Sequence, residues 1–520
     1  MQVVLPLDLG KRIAPDEAVY DLIELMEGMD YSRVKARMER ETRPIDATPE
    51  QVAKIIVFGY MNEIDSLRKL EESCRNDIRF MYLLGSKRAP DHSRFGRYIR
   101  NILSGGVMED LFYQIVRRLK ERGEIECKNV FADGTKIEAY ANRYTFVWRK
   151  AVTKYEARLD TKMKHAVGAM IAEHGIMTQG EESAACVLTK LKERVVGQGI
   201  EFVHGRGKRK TRLQRDVETL EAMVEKKGVY QQHQRTFKGR NSYSKTDPDA
   251  TFMRMKEDHM RNGQLKPGYN LQQAVEGEYV VGVTVSSERS DEGTLIELLD
   301  HMEKGIGERH ENVVTDAGYE SEENLLELSR RNQEAYVKPQ NYEKSKTRKY
   351  RNDPYRRENM PYDKEADTYT CPGGKVLSVV GNTTRKSVTG YVSDITLYSC
   401  EACEGCPRKA LCTKATGNRV ISVSKLFQEL RAQSLERITT KMGVILRMNR
   451  SIQSEGAFGV LKEDRHFRRF HRRGMEHVFT EALLHAAANN VNKFHKKKLS
   501  GDLGCRLHMP KPQVPVKDSA

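Results

Sequence analysis

No stretch of this 520-residue chain approaches the roughly 18 consecutive apolar residues that a membrane-spanning helix needs. The longest apolar segments, such as Ile55-Ile56-Val57-Phe58, are the size of core segments. The opening residues, Met1-Gln2-Val3-Val4-Leu5-Pro6, lack the basic leader and long apolar run of a secretory signal. Neither end carries a lipidation motif. The 14 histidines show no HExxH and no paired spacing, so they offer no zincin-type metal site. No internal repeat is evident. These absences point to a cytoplasmic protein in which nine cysteines stay reduced rather than forming a disulfide framework.

The chain is not short of charge. There are 89 Lys and Arg against 73 Asp and Glu, a net +16 at pH 7. Such a surplus favours polyanionic partners, nucleic acid before anionic membrane. A hydrophobic fraction of 38% excludes wholesale disorder and supports real cores. Length alone predicts about three domains.

Residues 1–120 read as helical. Thr48-Pro49-Glu50-Gln51 has a capping Thr, a Pro at the first helical position and Gln three residues after the cap. Val52, Ile55, Ile56 and Tyr60 then follow helical spacing. A second helix start at Asp91-His92-Ser93 leads into Arg94, Arg97 and Arg100 on one face. Such a face suits a DNA groove, or simply solvent. The texture changes near residue 124, where Ile125–Ala132 reads as a strand ending at Asp133-Gly134. Residues 150–265 are polar, mostly helical and carry a basic knot at Lys208–Arg212. Strands return at Tyr279–Val285, Asn312–Thr315 and Ala335–Val337, with a helix from Gly293 to His301. A basic, cysteine-rich segment at 341–425 interrupts the pattern, helix resumes to about 496, and 497–520 read as a tail.

Two apolar strands end in an acid beside a glycine, Asp133-Gly134 and Asp316-Ala317-Gly318. Carboxyl ends of strands open into the crevice of an α/β sheet. Aspartates on neighbouring strand ends can hold Mg²⁺, which takes oxygen ligands and keeps waters for chemistry. Asp-Gly also starts turns in its own right. Further on, Glu455 and Lys462 are seven residues apart, nearly two helical turns, and so share a face. The run Arg465-His466-Phe467-Arg468-Arg469-Phe470-His471-Arg472-Arg473 interleaves cations with aromatics, a pattern suited to a nucleic-acid backbone.

Taken together, Phe131–Ala139, Lys266–Gln272, Thr315–Tyr319 and the Glu455–Lys462 helix resemble bacterial insertion-sequence transposases of the DDE class. Residues 48–100 are similar to the helical N-terminal domain of such enzymes. The resemblance implies an α/β fold with an RNase H-like mixed-sheet catalytic core at 121–496. That core would hold a helical basic insertion at 150–265 and a cysteine-rich one at 341–425. A helical DNA-binding domain at 1–120 would precede it. It also implies a catalytic trio of Asp133, Asp316 and Glu455 holding Mg²⁺ or Mn²⁺. Lys462, Arg450, Arg465, Arg468, Arg469, Arg472 and Arg473 would hold DNA, with Arg94 and Arg97 in the N-terminal domain. Arg450 stands one residue further from Glu455 than the family's Tyr–Arg–Glu–Lys signature has it, and no Tyr precedes it at the family's place. The activity implied is cleavage and strand transfer at element ends on double-stranded DNA, by a homodimer on the bacterial nucleoid. A catalytically silent DNA-binding derivative and an RNase H-like nuclease share these features.

Cys400, Cys403, Cys406 and Cys412 have the close spacing of thiolate zinc ligands, and Cys371 is a further candidate. Five exceed the four a structural zinc takes. Unligated reduced thiols are the alternative, and an iron–sulfur cluster is disfavoured by the wide last gap.

Overall fold

The computed structural model describes residues 9–41, 45–177, 183–205, 207–255 and 263–510. The chain divides into two compact units, residues 1–137 with 270–520, and residues 138–269.

The first unit begins with helices. Thr48 and Gln51 form the expected capping box, each side chain accepting the other's backbone N–H, and the helix Pro49–Met61 follows. Asp91 caps the helix His92–Arg97 through the N–H groups of Ser93 and Arg94. That helix runs into a π turn, Tyr98–Ile102. The central sheet of this unit runs, in chain order, third–second–first–fourth–fifth. The strands are Tyr279–Ser286, the 270–276 part of Leu265–Glu276, Asn129–Glu138, Asn312–Thr315 and Glu334–Val337. The first pair is antiparallel, whereas the last three strands run parallel. The helices Leu295–Ile306 and Glu322–Arg330 connect these strands, as parallel neighbours require. This is a mixed α/β fold with the strand order of an RNase H-like core.

A long buried helix, Met475–Ser500, backs the antiparallel side. Asn490 on it accepts from Val280 N and donates to Val280 O, both at 2.7 Å, a side chain standing in for a strand partner. The same helix receives the N-terminal helices. His495 meets Asp21 at 2.6 Å, and Asn492 donates to the Met61 carbonyl. Residues 9–41 and 45–121 therefore belong to one unit with the core. The segment read as a tail starts inside this helix. Beyond it, His508 exchanges two hydrogen bonds with Asn449, and Gly504 N donates to Glu124. Residues 511–520 lie outside the described residues.

Between the fifth core strand and the helix Lys425–Thr439 lies a second, five-stranded antiparallel sheet. Its order is Val420–Val423, Val392–Cys400, Val376–Lys386, Thr368–Thr370 and Tyr362–Asp363. Its small core contains Tyr369, Leu377, Tyr398 and Ile421.

In the other unit, the helices Arg149–His174, Ala184–Gly197 and Arg212–Phe237 enclose Leu159, Met163, Val187, Leu191, Val217 and Leu220. Short strands Phe146–Trp148 and Ser242–Ser244 pair beneath them. The basic knot is partly neutralised, Lys210 by Glu218 and Arg212 by Glu173 and Asp216.

Candidate active site

The parallel register pairs Asn129 with Asn312 and ends by pairing Ala132 with Thr315. The next residues on the two strands are Asp133 and Asp316. The register thus brings both to the same end of two neighbouring strands. Asp133 is buried, 8% exposed, and its Oδ1 accepts from Gly134 N at 2.8 Å. Asp316 ends its strand and caps the short turn Ala317–Tyr319 through Gly318 N, also at 2.8 Å.

Glu455 arrives on the helix Lys441–Gly459. Leu446 of that helix shares a buried cluster with Phe131 and Val314 of the two strands. Ser454 Oγ donates to the Phe131 carbonyl, two residues before Asp133. Arg450 joins the acids. Its Nη1 lies 3.2 Å from Asp133 Oδ2 and its Nη2 3.4 Å from Glu455 Oε1. The extra residue between Arg450 and Glu455 does not stop the guanidinium from reaching the carboxylate. One planar cation bridging two carboxylates offsets their mutual repulsion, as its forked geometry allows.

The sequence did not single out Asp291, yet it reaches the same place. It stands in the turn before the helix Leu295–Ile306, and its Oδ1 accepts from Asn270 Nδ2 at 2.7 Å and Gln272 Nε2 at 2.9 Å. Tyr319, fully buried, donates to Gln272 Oε1. Burial raises the Tyr319 pKa far above the ordinary phenol value, and the charges of Asp291, Asp133 and Asp316 add to it. Three aspartates therefore lie within electrostatic reach of one buried phenol. Ser290-Asp291-Glu292 is an ordinary polar turn in sequence, with no period or motif to mark it.

The remaining expected residues are distributed unevenly. Lys462 is only 6% exposed, its Nζ 3.3 Å from the Lys136 carbonyl, whereas the Glu455 side chain is 64% exposed. Seven residues of unbroken α-helix would set them on one face. A π turn at Val460–Asp464 intervenes and turns Lys462 inward. Arg465 is 7% exposed and donates to the His485 carbonyl, and burial lowers its pKa. In this conformation it is a core residue rather than a surface contact. Phe467 and Phe470 are buried against each other, and Phe467 against His485 at 3.9 Å. The aromatics of the basic run therefore fill the core and do not present stacking faces. Arg468, Arg469 and Arg473 remain on the surface, with Arg472 half-buried. Arg94 and Arg97 line a cavity of about 270 Å³ with Tyr98, Pro49 and Ile102. Nearer the acids, Arg447 lies 5.1 Å from the Tyr342 ring, with Lys346 at 3.9 Å and Lys338 at 5.7 Å.

The five clustered cysteines line one small cavity of about 20 Å³ with Arg408 and Arg419. Cys371 Sγ accepts backbone N–H groups of Gly373 and Lys375, and Cys403 Sγ that of Arg419. A Cβ on Gly373 would meet both Cys371 Sγ and Cys406 Sγ. Cys400 lies against Cys403, its thiol pushed up to about 11 by burial. Cys412 Sγ instead takes Arg419 Nη1 at 3.0 Å.

Among the described residues, Cys127, Glu276 and His310 bring ligand atoms within 4.8 Å of one another. That spacing can hold a metal, but the donors are already engaged. The Glu276 carboxylate accepts the N–H groups of Glu126, Cys127 and Lys128, and meets His310 Nε2 at 2.9 Å. Burial pushes the Cys127 thiol up to about 11. This cluster is a structural node.

No helix among the described residues is long and apolar enough to cross a membrane. No curated protein matches the chain. Two family models do. A transposase domain model (DUF772) matches residues 7–101, the N-terminal helices. A transposase DDE domain model matches residues 370–495, which include Glu455. A DDE domain marks a DNA-cleaving enzyme, and the two matches flank a sheet that sets Asp133 beside Asp316. Over these two stretches the chain is similar to insertion-sequence transposases of the DDE class.

Proposed function

We propose that this chain cleaves DNA at insertion-sequence ends and joins the freed ends to target DNA, using Asp133, Asp316 and Glu455 as its acidic trio. The observation that carries this is the parallel register that makes Asp133 and Asp316 neighbours, with Glu455 tied to Asp133 through Arg450. The donor set fits a hard divalent cation. It is all oxygen, and Asn270 Oδ1 beside it is a buried acceptor with no hydrogen-bond partner. Bound Mg²⁺ or Mn²⁺ supplies Lewis-acid activation of a water or hydroxyl and of the scissile phosphate. Asp133, Asp316 and Glu455 hold and orient that cation. Arg450 keeps the two carboxylates together without it and offers its guanidinium to a phosphate with it. Lys338, Lys346 and Arg447 around Tyr342 extend a positive rim for the strand. Arg468, Arg469, Arg472 and Arg473 contribute a second basic surface, and Arg94 and Arg97 a third. Pairing two element ends calls for a dimer.

The test is incubation with DNA carrying the gene's own flanks, with and without Mg²⁺. Cleaved and joined products are expected with Mg²⁺. Asp133→Asn should abolish both while leaving DNA binding in a mobility-shift assay intact. Cleavage without joining would favour a nuclease. Binding without cleavage would favour a silent derivative.

We also infer a structural zinc on Cys371, Cys400, Cys403 and Cys406, with Cys412 held off by Arg419. Backbone N–H groups directed at Cys371 and Cys403 support it, since they stabilise thiolates. One zinc per chain by elemental analysis, lost in Cys403→Ser and kept in Cys412→Ser, is the expected result. A zinc-free protein refutes it.

A further inference from the structure

Asp133 and Asp316 are each followed closely by a glycine, Gly134 and Gly318. Neither glycine adopts a left-handed backbone, so conformational freedom does not explain them. Space does. A Cβ on Gly134 would stand 2.5 Å from Asp291 Oδ1 and 2.5 Å from Gln272 Nε2. A Cβ on Gly318 would stand 3.0 Å from Asp316 Oδ1 and 3.4 Å from Asp291 Oδ2. Both glycines clear room for the same carboxylate, and Asp291 Oδ2 and Asp316 Oδ1 both lie beside Gly318.

A turn-forming role does not account for the Asp291 side chain. The turn into the helix Leu295–Ile306 is closed by its backbone carbonyl, which accepts from Thr294 N and Thr294 Oγ1. The carboxylate points instead to the strand Leu265–Glu276. There two amides, Asn270 and Gln272, fix Oδ1 and leave Oδ2 toward Gly318. Asn270 is only 1% exposed, and after donating to Asp291 its own Oδ1 has no partner. An orphaned buried acceptor is unfavourable in a folded protein. Beside the Asp291 carboxylate, it is open to a donor or a cation.

We propose that Asp291 is a fourth carboxylate of the divalent-cation site, aimed by Asn270 and Gln272, with Asn270 Oδ1 as a neutral oxygen facing the cation or its water. This rests on the reading that Asp133 and Asp316 hold the cation. Oxygen-rich sets of carboxylates and amide carbonyls suit Mg²⁺ and Mn²⁺.

The full-length protein, titrated with Mn²⁺ by calorimetry and by thermal melting, tests it. Asp291→Asn keeps the size of the side chain and an acceptor for both amides. It should weaken Mn²⁺ binding about tenfold or more and shrink the Mn²⁺-induced rise in Tm, with the metal-free Tm unchanged. Glu292→Gln, next in the chain, should bind Mn²⁺ as the parent does. Asn270→Asp, which adds a charge at the orphaned oxygen, should lower the metal-free Tm and enlarge the Mn²⁺-induced rise. Wild-type Mn²⁺ binding in Asp291→Asn, alongside loss in Asp133→Asn, overturns the role of Asp291 alone. No change in either variant overturns the cation reading beneath it. Absence of Mn²⁺ rescue in Asn270→Asp also counts against the proposal.

Discussion

Two acidic clusters lie a few residues apart along the same stretch of chain. At the start of the Asn129–Glu138 strand, Glu276 receives three consecutive backbone N–H groups and an imidazole. Further along the strand, Asp133 and Glu455 share one arginine, and Asn270 beside Asp291 keeps an acceptor without a donor. Both clusters include a buried carboxylate, Glu276 in one and Asp133 in the other. The first is closed by donors that cannot leave, because they belong to the backbone. The second is held by a side chain that can swing away. A closed carboxylate stabilises the fold, whereas one balanced by a movable cation can exchange partners with a metal or a phosphate.

The contrast can be broken in several ways. Glu276→Gln should cost about 2–4 kcal/mol in denaturant unfolding, because it turns an amide donor onto fixed donors. Its Mn²⁺ affinity should not change; a loss there would make the node part of the metal site. Asp133→Asn should leave stability within about 1 kcal/mol of the parent. Arg450→Met should lower metal-free stability by about 1–2 kcal/mol, since two carboxylates then face each other without a counter-charge. Added Mn²⁺ should restore it, and failure to do so would show that the arginine is not standing where a cation acts.

Smaller effects sharpen the picture of the basic run. Replacing Arg468 and Arg469 with Ala should reduce the slope of log affinity against log salt by up to about 2, one phosphate for each lost cation. An unchanged slope would move the DNA footprint elsewhere. His485 is fully buried, and its pKa is driven well below the ordinary value by burial and by nearby Arg465 and His471. The unfolded chain therefore takes up this proton first as pH falls through about 6.5, so stability is lost below that pH. The slope from one group is at most about 1.4 kcal/mol per pH unit. His471, raised by its hydrogen bond to Glu481, pulls the other way. The difference between the parent and His485→Phe isolates the first effect. The variant should flatten the fall between pH 7 and 5 in thermal melts.

Much was legible locally. The capping box at Thr48, the start at Asp91 and the strand Asn312–Thr315 before Asp316 follow from short-range patterns that the fold keeps, whereas the strand read as ending at Asp133 starts at Asn129 and runs through Asp133 to Glu138. The long ribbon Val376–Lys386 with Val392–Cys400 was not legible. Most of its residues are exposed on both faces, so no apolar alternation marks it. The basic run misled in a different way. Phe467 and Phe470 sit between arginines in sequence, but backbone turns send them into the core and the arginines Arg468 and Arg469 outward.

What the sequence determined by itself is the chemical inventory: a basic chain, two acids following apolar runs, a late glutamate helix, and five cysteines in one segment. These depend on residue type and near neighbours, which physics reads within a few residues. What only the tertiary structure decided is who meets whom. The parallel register places Asp133 against Asp316, a π turn hides Lys462, one arginine spans Asp133 and Glu455, and Asp291 enters between two glycines. Each of these is a contact between residues from five to more than three hundred positions apart. Such contacts are set by packing a sheet and its helices into one core, and no local pattern encodes them.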